Sequence, residues 1–151
     1  VRENLELMAG IHGYSKKEVK EKTASMINVF SLQQYENQKS KTLSGGWQRK
    51  LSIALALISG PKILFLDEPT LGLDIIGRRE LWSQIERLKE KTTIVLTTHY
   101  LEEAEALCDR ICVMKDGQVK AIGTVEELTV MTNTESFEDA FVNIVTKEGL
   151  V

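Results

Sequence analysis

Residues 63–69, Ile63-Leu64-Phe65-Leu66-Asp67-Glu68-Pro69, set four apolar side chains in a row and close them with two carboxylates and a proline. An apolar run without alternation predicts a strand buried on both faces of a parallel sheet. Parallel strands need a long crossover, and one follows: residues 78–91 carry Leu81, Ile85 and Leu88 on one helical face. Residues 93–98, Thr-Ile-Val-Leu-Thr-Thr, then predict a second buried strand. A strand, helix, strand unit of this kind places the chain in the α/β class. In open parallel sheets, ligands bind at the carboxyl edge of the strands. Asp67 and Glu68 stand at that edge. An Asp there can hold Mg²⁺ directly or through water, because that hard cation keeps several waters and takes only one or two carboxylates. The next carboxylate, directed elsewhere, can polarise a water for attack on a phosphoryl group. Taken alone, an Asp-Glu pair serves equally well as a solvated acidic turn.

The residues before this unit read as helices. Ser15 and Glu18 have the form of a capping box, and Val19, Met26, Ile27 and Phe30 recur at helical spacing behind it. Ahead of them Leu5, Met8 and Ile11 form a short apolar stripe ended by Gly13, and residues 33–42 are polar and predict a loop. A further helix is expected over residues 46–58, capped by Ser44 and closed by Gly60-Pro61. Its opening, Leu43-Ser44-Gly45-Gly46, puts a hydroxyl and two unshielded backbone N–H groups at the positive end of a helix, where an anion can approach. The same four residues also suit an ordinary helix start. His99 directly follows the second strand and could donate to a phosphate from the edge that carries Glu68, though a lone His at a strand end is commonly structural. After the strand unit come a helix over residues 101–108 and strands over 111–114 and 118–121 around the hairpin signal Asp116-Gly117. A capped helix from Thr124 and an amphipathic helix over residues 136–145 complete the pattern.

Composition removes several function classes. With 42% hydrophobic and 27% charged residues, the chain is neither disordered nor fibrous, and its 151 residues can bury one real core. A net charge of −3 with both signs interspersed gives no basic surface for nucleic acid. Cys108 and Cys112 stand without a His or Cys cluster, so neither a disulfide scaffold nor a zinc site is indicated and a reducing cytosol is expected. The longest apolar run, residues 53–58, is far short of the roughly 20 residues that span a bilayer. The chain opens on Val1 and runs directly into a helical pattern, as a piece of a longer protein does.

Taken together and in order, these segments resemble the ATP-binding cassette of ABC transporters. Leu43-Ser44-Gly45-Gly46 resembles the signature motif, residues 63–68 a Walker B strand with its glutamate, Leu73-Asp74 the end of the D-loop, and His99 the switch histidine. Residues 110–122 resemble the family's Arg-Ile-x-Val-Met-x-x-Gly-x-Val hairpin. Gly123-Thr124 and Glu127-Leu128 resemble the helix start that follows it. The match extends more loosely to Val1-Arg2-Glu3-Asn4-Leu5, similar to the segment after the Q-loop. Ser136-Phe137-Glu138-Asp139-Ala140-Phe141 is similar to the ending found in the drug and lipid exporter branch. Two departures are mild: Trp47 replaces the usual Gln, and Leu71-Gly72 replaces Ser-Gly or Ala-Gly. The third is large. No Gly-x-x-x-x-Gly-Lys-Ser/Thr occurs, and the nearest likeness, Gly72 to Gly77 before Arg78-Arg79, lacks the Lys and the hydroxyl.

The resemblance implies a partial P-loop NTPase fold: a helical signature subdomain over residues 1–60, the Walker B to switch half of a parallel RecA-like sheet over 61–130, and a helical tail over 131–151. The phosphate-loop half is missing. It implies ATP and Mg²⁺ as ligands, with Asp67 on the metal, Glu68 and His99 catalytic, and Ser44, Gly45, Gly46 and Asp74 in a site shared with a second cassette arranged head to tail. It further implies a transmembrane permease partner, a place on the cytoplasmic face of the membrane, and export coupled to ATP hydrolysis. A soluble ABC ATPase without membrane partners is the alternative, but such proteins carry paired cassettes or a coiled-coil insertion that the compact spacing of residues 42–67 does not show. Without a phosphate loop the chain by itself is expected to be inactive, and its uncovered sheet edge predicts self-association or exchange of elements.

Overall fold

The computed structural model describes residues 1–146. The chain packs into two compact units, Val1–Thr97 and Thr98–Val151.

In the first unit, α1 (Arg2–Ile11) and α2 (Lys16–Val29) pack against each other and against α3 (Gly45–Leu57). The Ser15 capping box forms: the hydroxyl accepts from the Glu18 N–H at 3.4 Å and the Glu18 carboxylate accepts from the Ser15 N–H at 2.8 Å. The α1 stripe is shifted from expectation. Leu5 and Ala9, spaced four apart, are buried, whereas Ile11 lies in the last turn and is exposed. Residues 33–42 hold two short 3₁₀ turns, Gln33–Tyr35 and Ser40–Thr42, and are tied back to α1 by the Arg2–Glu36 ion pair at 2.6 Å. Gly60, at φ +67°, ends the α3 segment before Pro61.

β1 (Ile63–Asp67) pairs in parallel with β2 (Thr93–Thr97), Ile63 opposite Thr93 and Asp67 opposite Thr97. The crossover is α4 (Ile75–Lys89), with Leu81 and Ile85 buried. α4 begins at Ile75 because the Asp74 carboxylate caps it. Neither strand is buried on both faces. Leu64 and Leu66 are buried, but Ile63 is 54% and Phe65 74% exposed. On β2 the residues Thr93, Val95 and Thr97 are exposed and those between only half-buried. The physical reason is that this sheet has two strands among the described residues and one of its faces is uncovered.

In the second unit, α5 (Leu101–Leu107), the antiparallel hairpin β3 (Ile111–Lys115) and β4 (Gln118–Gly123), α6 (Val125–Thr132) and α7 (Phe137–Thr146) share one core of Ala104, Ile111, Val113, Leu128, Phe137, Ala140 and Ile144. Asp116 and Gly117 both take positive φ, 53° and 72°, as a two-residue hairpin turn matched to the strand twist requires. Thr124 and Glu127 form the second capping box. The tail helix is present as α7, while residues 147–151 of the expected tail lie outside the described residues.

Candidate nucleotide site

The parallel ladder carries Asp67 and Glu68 to the carboxyl edge of β1. Asp67 is exposed and accepts a hydrogen bond from the Thr97 hydroxyl, its register partner on β2. One residue later the Glu68 N–H donates to the Thr97 carbonyl at 2.9 Å, the last rung of the ladder. There the chain breaks direction: Glu68 takes φ +43° immediately before Pro69. Among the described residues four non-glycine positions have positive φ: Ser31, Glu68, Asp116 and Asn133. Asn133 is the C-cap of α6, Asp116 makes the hairpin turn, and Ser31 follows the C-cap of α2, all places where the left-handed region is common. Glu68 has no such reason, and a residue before proline is ordinarily extended. Such a conformation costs on the order of 1–3 kcal/mol and concentrates at functional sites.

The donor set at this edge suits Mg²⁺. It offers one exposed carboxylate, Asp67, with Glu68 beside it, and no group of three or more His, Cys, Asp or Glu occurs among the described residues. A hard cation that keeps its waters and takes further oxygens from phosphates fits that arrangement, whereas a closed transition-metal cage does not.

The Ser44 turn lies in the same unit. Ser44 occupies the N-cap position of α3 with extended backbone, but its side chain makes no cap hydrogen bond, contrary to expectation. Its carbonyl accepts from the Gln48 N–H at 2.9 Å, and the Gln48 side chain donates to the Leu43 carbonyl at 3.0 Å, so the turn is held from inside the helix. The hydroxyl remains exposed beside Gly45. A Cβ on Gly45 would meet nothing within 4 Å, whereas one on Gly46 would stand 3.2 Å from Leu73 Cδ2. The turn at 44–46 therefore packs against the turn that carries Asp74. The Asp74 carboxylate accepts from the Gly77 N–H at 2.7 Å, and a Cβ on Gly77 would stand 3.0 Å from it. The unit also holds a cavity of about 190 Å³, where Arg49 and Ser52 of α3 face Phe65 and Asp67 of β1.

The residues named from the sequence thus fall into three places. Asp67 and Glu68 share the β1 edge, Ser44, Gly45, Gly46 and Asp74 share the α3–α4 face, and His99 belongs to the second unit, exposed and 4.1 Å ring to ring from Tyr100. Two contributors were not singled out beforehand. Thr97 is legible in retrospect from the strand register, whereas Lys50 is not, because its ion-pair partner Glu80 lies thirty positions away.

The chain is similar to proteins already known. The sequence profile described as ABC transporter matches residues 1–71. The chain is 44% identical, over 82% of its length, to the phospholipid-transporting ATPase ABCA3 of Homo sapiens, 7% of which it spans. It is 44% identical over 83% of its length to the daunorubicin/doxorubicin resistance ATP-binding protein DrrA of Streptomyces peucetius, and spans 38% of that protein. Among solved structures it resembles an ATP-binding subunit of an ABC transporter, with a TM-score of 0.82 and 29% identity over 95% of this chain and 61% of that one. It also resembles a dimeric ATP-binding cassette in a post-hydrolysis state bound to ADP and Pi, with a TM-score of 0.70 and 30% identity over 82% of this chain and 55% of that one.

Proposed function

The chain belongs to the ABC transporter family, and from that premise we propose that it supplies the signature, Walker B and switch parts of a cassette that hydrolyses ATP to drive export. The observation that carries the proposal is the pair at the end of β1: an exposed Asp67 on the ladder and a Glu68 forced to φ +43° just past it. Asp67 would hold Mg²⁺, which when bound screens phosphate charge. Glu68 takes a proton from the attacking water. His99 donates toward the terminal phosphate. Ser44, Gly45 and Gly46 face the nucleotide held by a second, head-to-tail cassette, and Asp74 lies at the contact between the two. The open space over Gly45 and the uncapped Ser44 hydroxyl support that role. So do the exposed apolar side chains of Leu71, Ile75 and Ile76 on either side of Asp74. In this reading residues 1–60 are the helical signature part, 61–130 the Walker B to switch half, and 131–151 a tail.

The relatives named for phospholipid transport and for daunorubicin resistance support an amphiphilic or apolar cargo moved by a transmembrane permease, with the cassette on its cytoplasmic face. No helix among the described residues is long and apolar enough to cross a membrane itself. Because the sequence has no phosphate loop, the 151-residue chain alone is expected to show no ATP hydrolysis.

The test is steady-state hydrolysis by the complete cassette with Glu68→Gln. Loss of the proton acceptor is expected to lower kcat by about a hundredfold or more while ATP still binds and paired cassettes accumulate. A variant that hydrolyses at the wild-type rate removes the assignment of Glu68 and with it the proposed chemistry.

A further inference from the structure

Lys50 is the second contributor that the sequence left unmarked. Its side chain is 6% exposed, and an ammonium so enclosed is costly unless well partnered. Two partners hold it. Nζ lies 2.7 Å from Glu80 Oε2 on α4 and 4.3 Å from the centre of the Trp47 ring. Trp47 directly follows Gly46 and is itself braced by Tyr35, ring centres 4.6 Å apart. Glu80 is 54% exposed, so the acid reaches in from solvent to a lysine that is walled in. The same two segments meet a second time where Gly46 abuts Leu73, the residue before the α4 cap Asp74. The start of α3 and the start of α4 are thus fastened at two points, one by van der Waals contact and one by a cation shared between a ring and a carboxylate.

We infer that Lys50 is a positioning residue for ATP hydrolysis: through Trp47 and Glu80 it fixes the turn at 44–46 to the turn carrying Asp74, so that both respond to nucleotide as one piece. The inference rests on the proposed reading of the 44–46 turn as a nucleotide-facing surface. Lys50 is enclosed by its own chain, so loosening it leaves nucleotide affinity nearly intact and slows the approach to the hydrolysing arrangement. In kinetic terms kcat falls and KM holds. Arg can serve both the ring and the carboxylate, whereas Met keeps only the apolar stem.

Steady-state ATP hydrolysis by the complete transporter, comparing wild type with Lys50→Met, Lys50→Arg and Glu80→Gln, tests this. Lys50→Met is expected to lower kcat about tenfold with KM within about twofold, Lys50→Arg to recover most of it, and Glu80→Gln to fall between. Glu80 is more than half exposed, so its variant keeps the test valid if Lys50→Met folds poorly. Wild-type kcat in both Lys50→Met and Glu80→Gln overturns the inference, as does a loss that follows the folded fraction in melting curves. Glu68→Gln measured in parallel separates the two claims. If it hydrolyses normally, the functional reading falls; if it is inactive while the Lys50 and Glu80 variants are normal, only the positioning role falls.

Discussion

Gly45 and Gly46 are neighbours under different constraints. Nothing among the described residues occupies the space a Gly45 side chain would enter, whereas Gly46 is pressed against Leu73. Within a helix alanine is otherwise favoured over glycine by roughly 0.5–1 kcal/mol. Gly45→Ala is therefore expected to leave the melting temperature unchanged or slightly higher while weakening ATP-dependent pairing. Gly46→Ala displaces Leu73 and lowers both. Equal melting behaviour in the two variants would show that the Leu73 contact does not constrain the turn. The contrast was not legible in the sequence, where both residues read simply as an open helix start. Glu68 is similar: its position after an apolar run is visible in the letters, but its left-handed backbone, adopted where the ladder ends at Thr97 and against the extended preference of a residue before proline, is not. Lys50 was least legible, because burial of a charge depends on Glu80 thirty positions away. Asp74 shows two levels at once, since one of its carboxylate oxygens caps its own helix while the side chain stands exposed to whatever it meets outside the chain.

Elements whose signals are local came through well. The boxes at Ser15 and Thr124 each close over three residues, so residue type and spacing determine them without help from the rest of the fold. The hairpin at Asp116-Gly117 is of the same kind. Strand burial was not, because the run Ile63-Leu64-Phe65-Leu66 states what the strand can bury and not how many faces are covered. The Ser15 box also carries a pH dependence. Hydrogen bonds from Ser15, its side chain first and its backbone second, hold the Glu18 carboxyl below the ordinary carboxylate range. A depressed folded pKa means stability that is present above the unfolded value and is lost as pH falls through the folded one. Ser15→Ala is expected to melt below wild type at neutral pH, with the gap narrowing on acidification through the carboxylate range. A gap that does not change with pH would assign the whole effect to the Ser15 hydroxyl on the Glu18 N–H.

At the scale of the molecule, the α/β class and the order of its parts followed from the sequence, while the division into the units Val1–Thr97 and Thr98–Val151 did not. That division depends on which helices each strand pair collects, and no local signal encodes it. The uncovered face of the parallel sheet has a consequence for the chain in isolation. Phe65, Ile63 and Val95 are all exposed on adjoining strands, forming an apolar surface of the sort that soluble monomers seldom leave open. Both outer edges of a two-stranded sheet also leave backbone groups unpaired. The 151-residue chain is therefore expected to associate with itself as its concentration rises. Phe65 is the most exposed of the three at 74%, so Phe65→Lys removes apolar area and adds repulsion without emptying a core. Sedimentation velocity over a concentration series should show the wild-type chain shifting to faster species and Phe65→Lys remaining slow, with equal melting temperatures. Association that persists in Phe65→Lys would assign the contact to the unpaired strand edge, where main-chain groups and not this face hold the copies together.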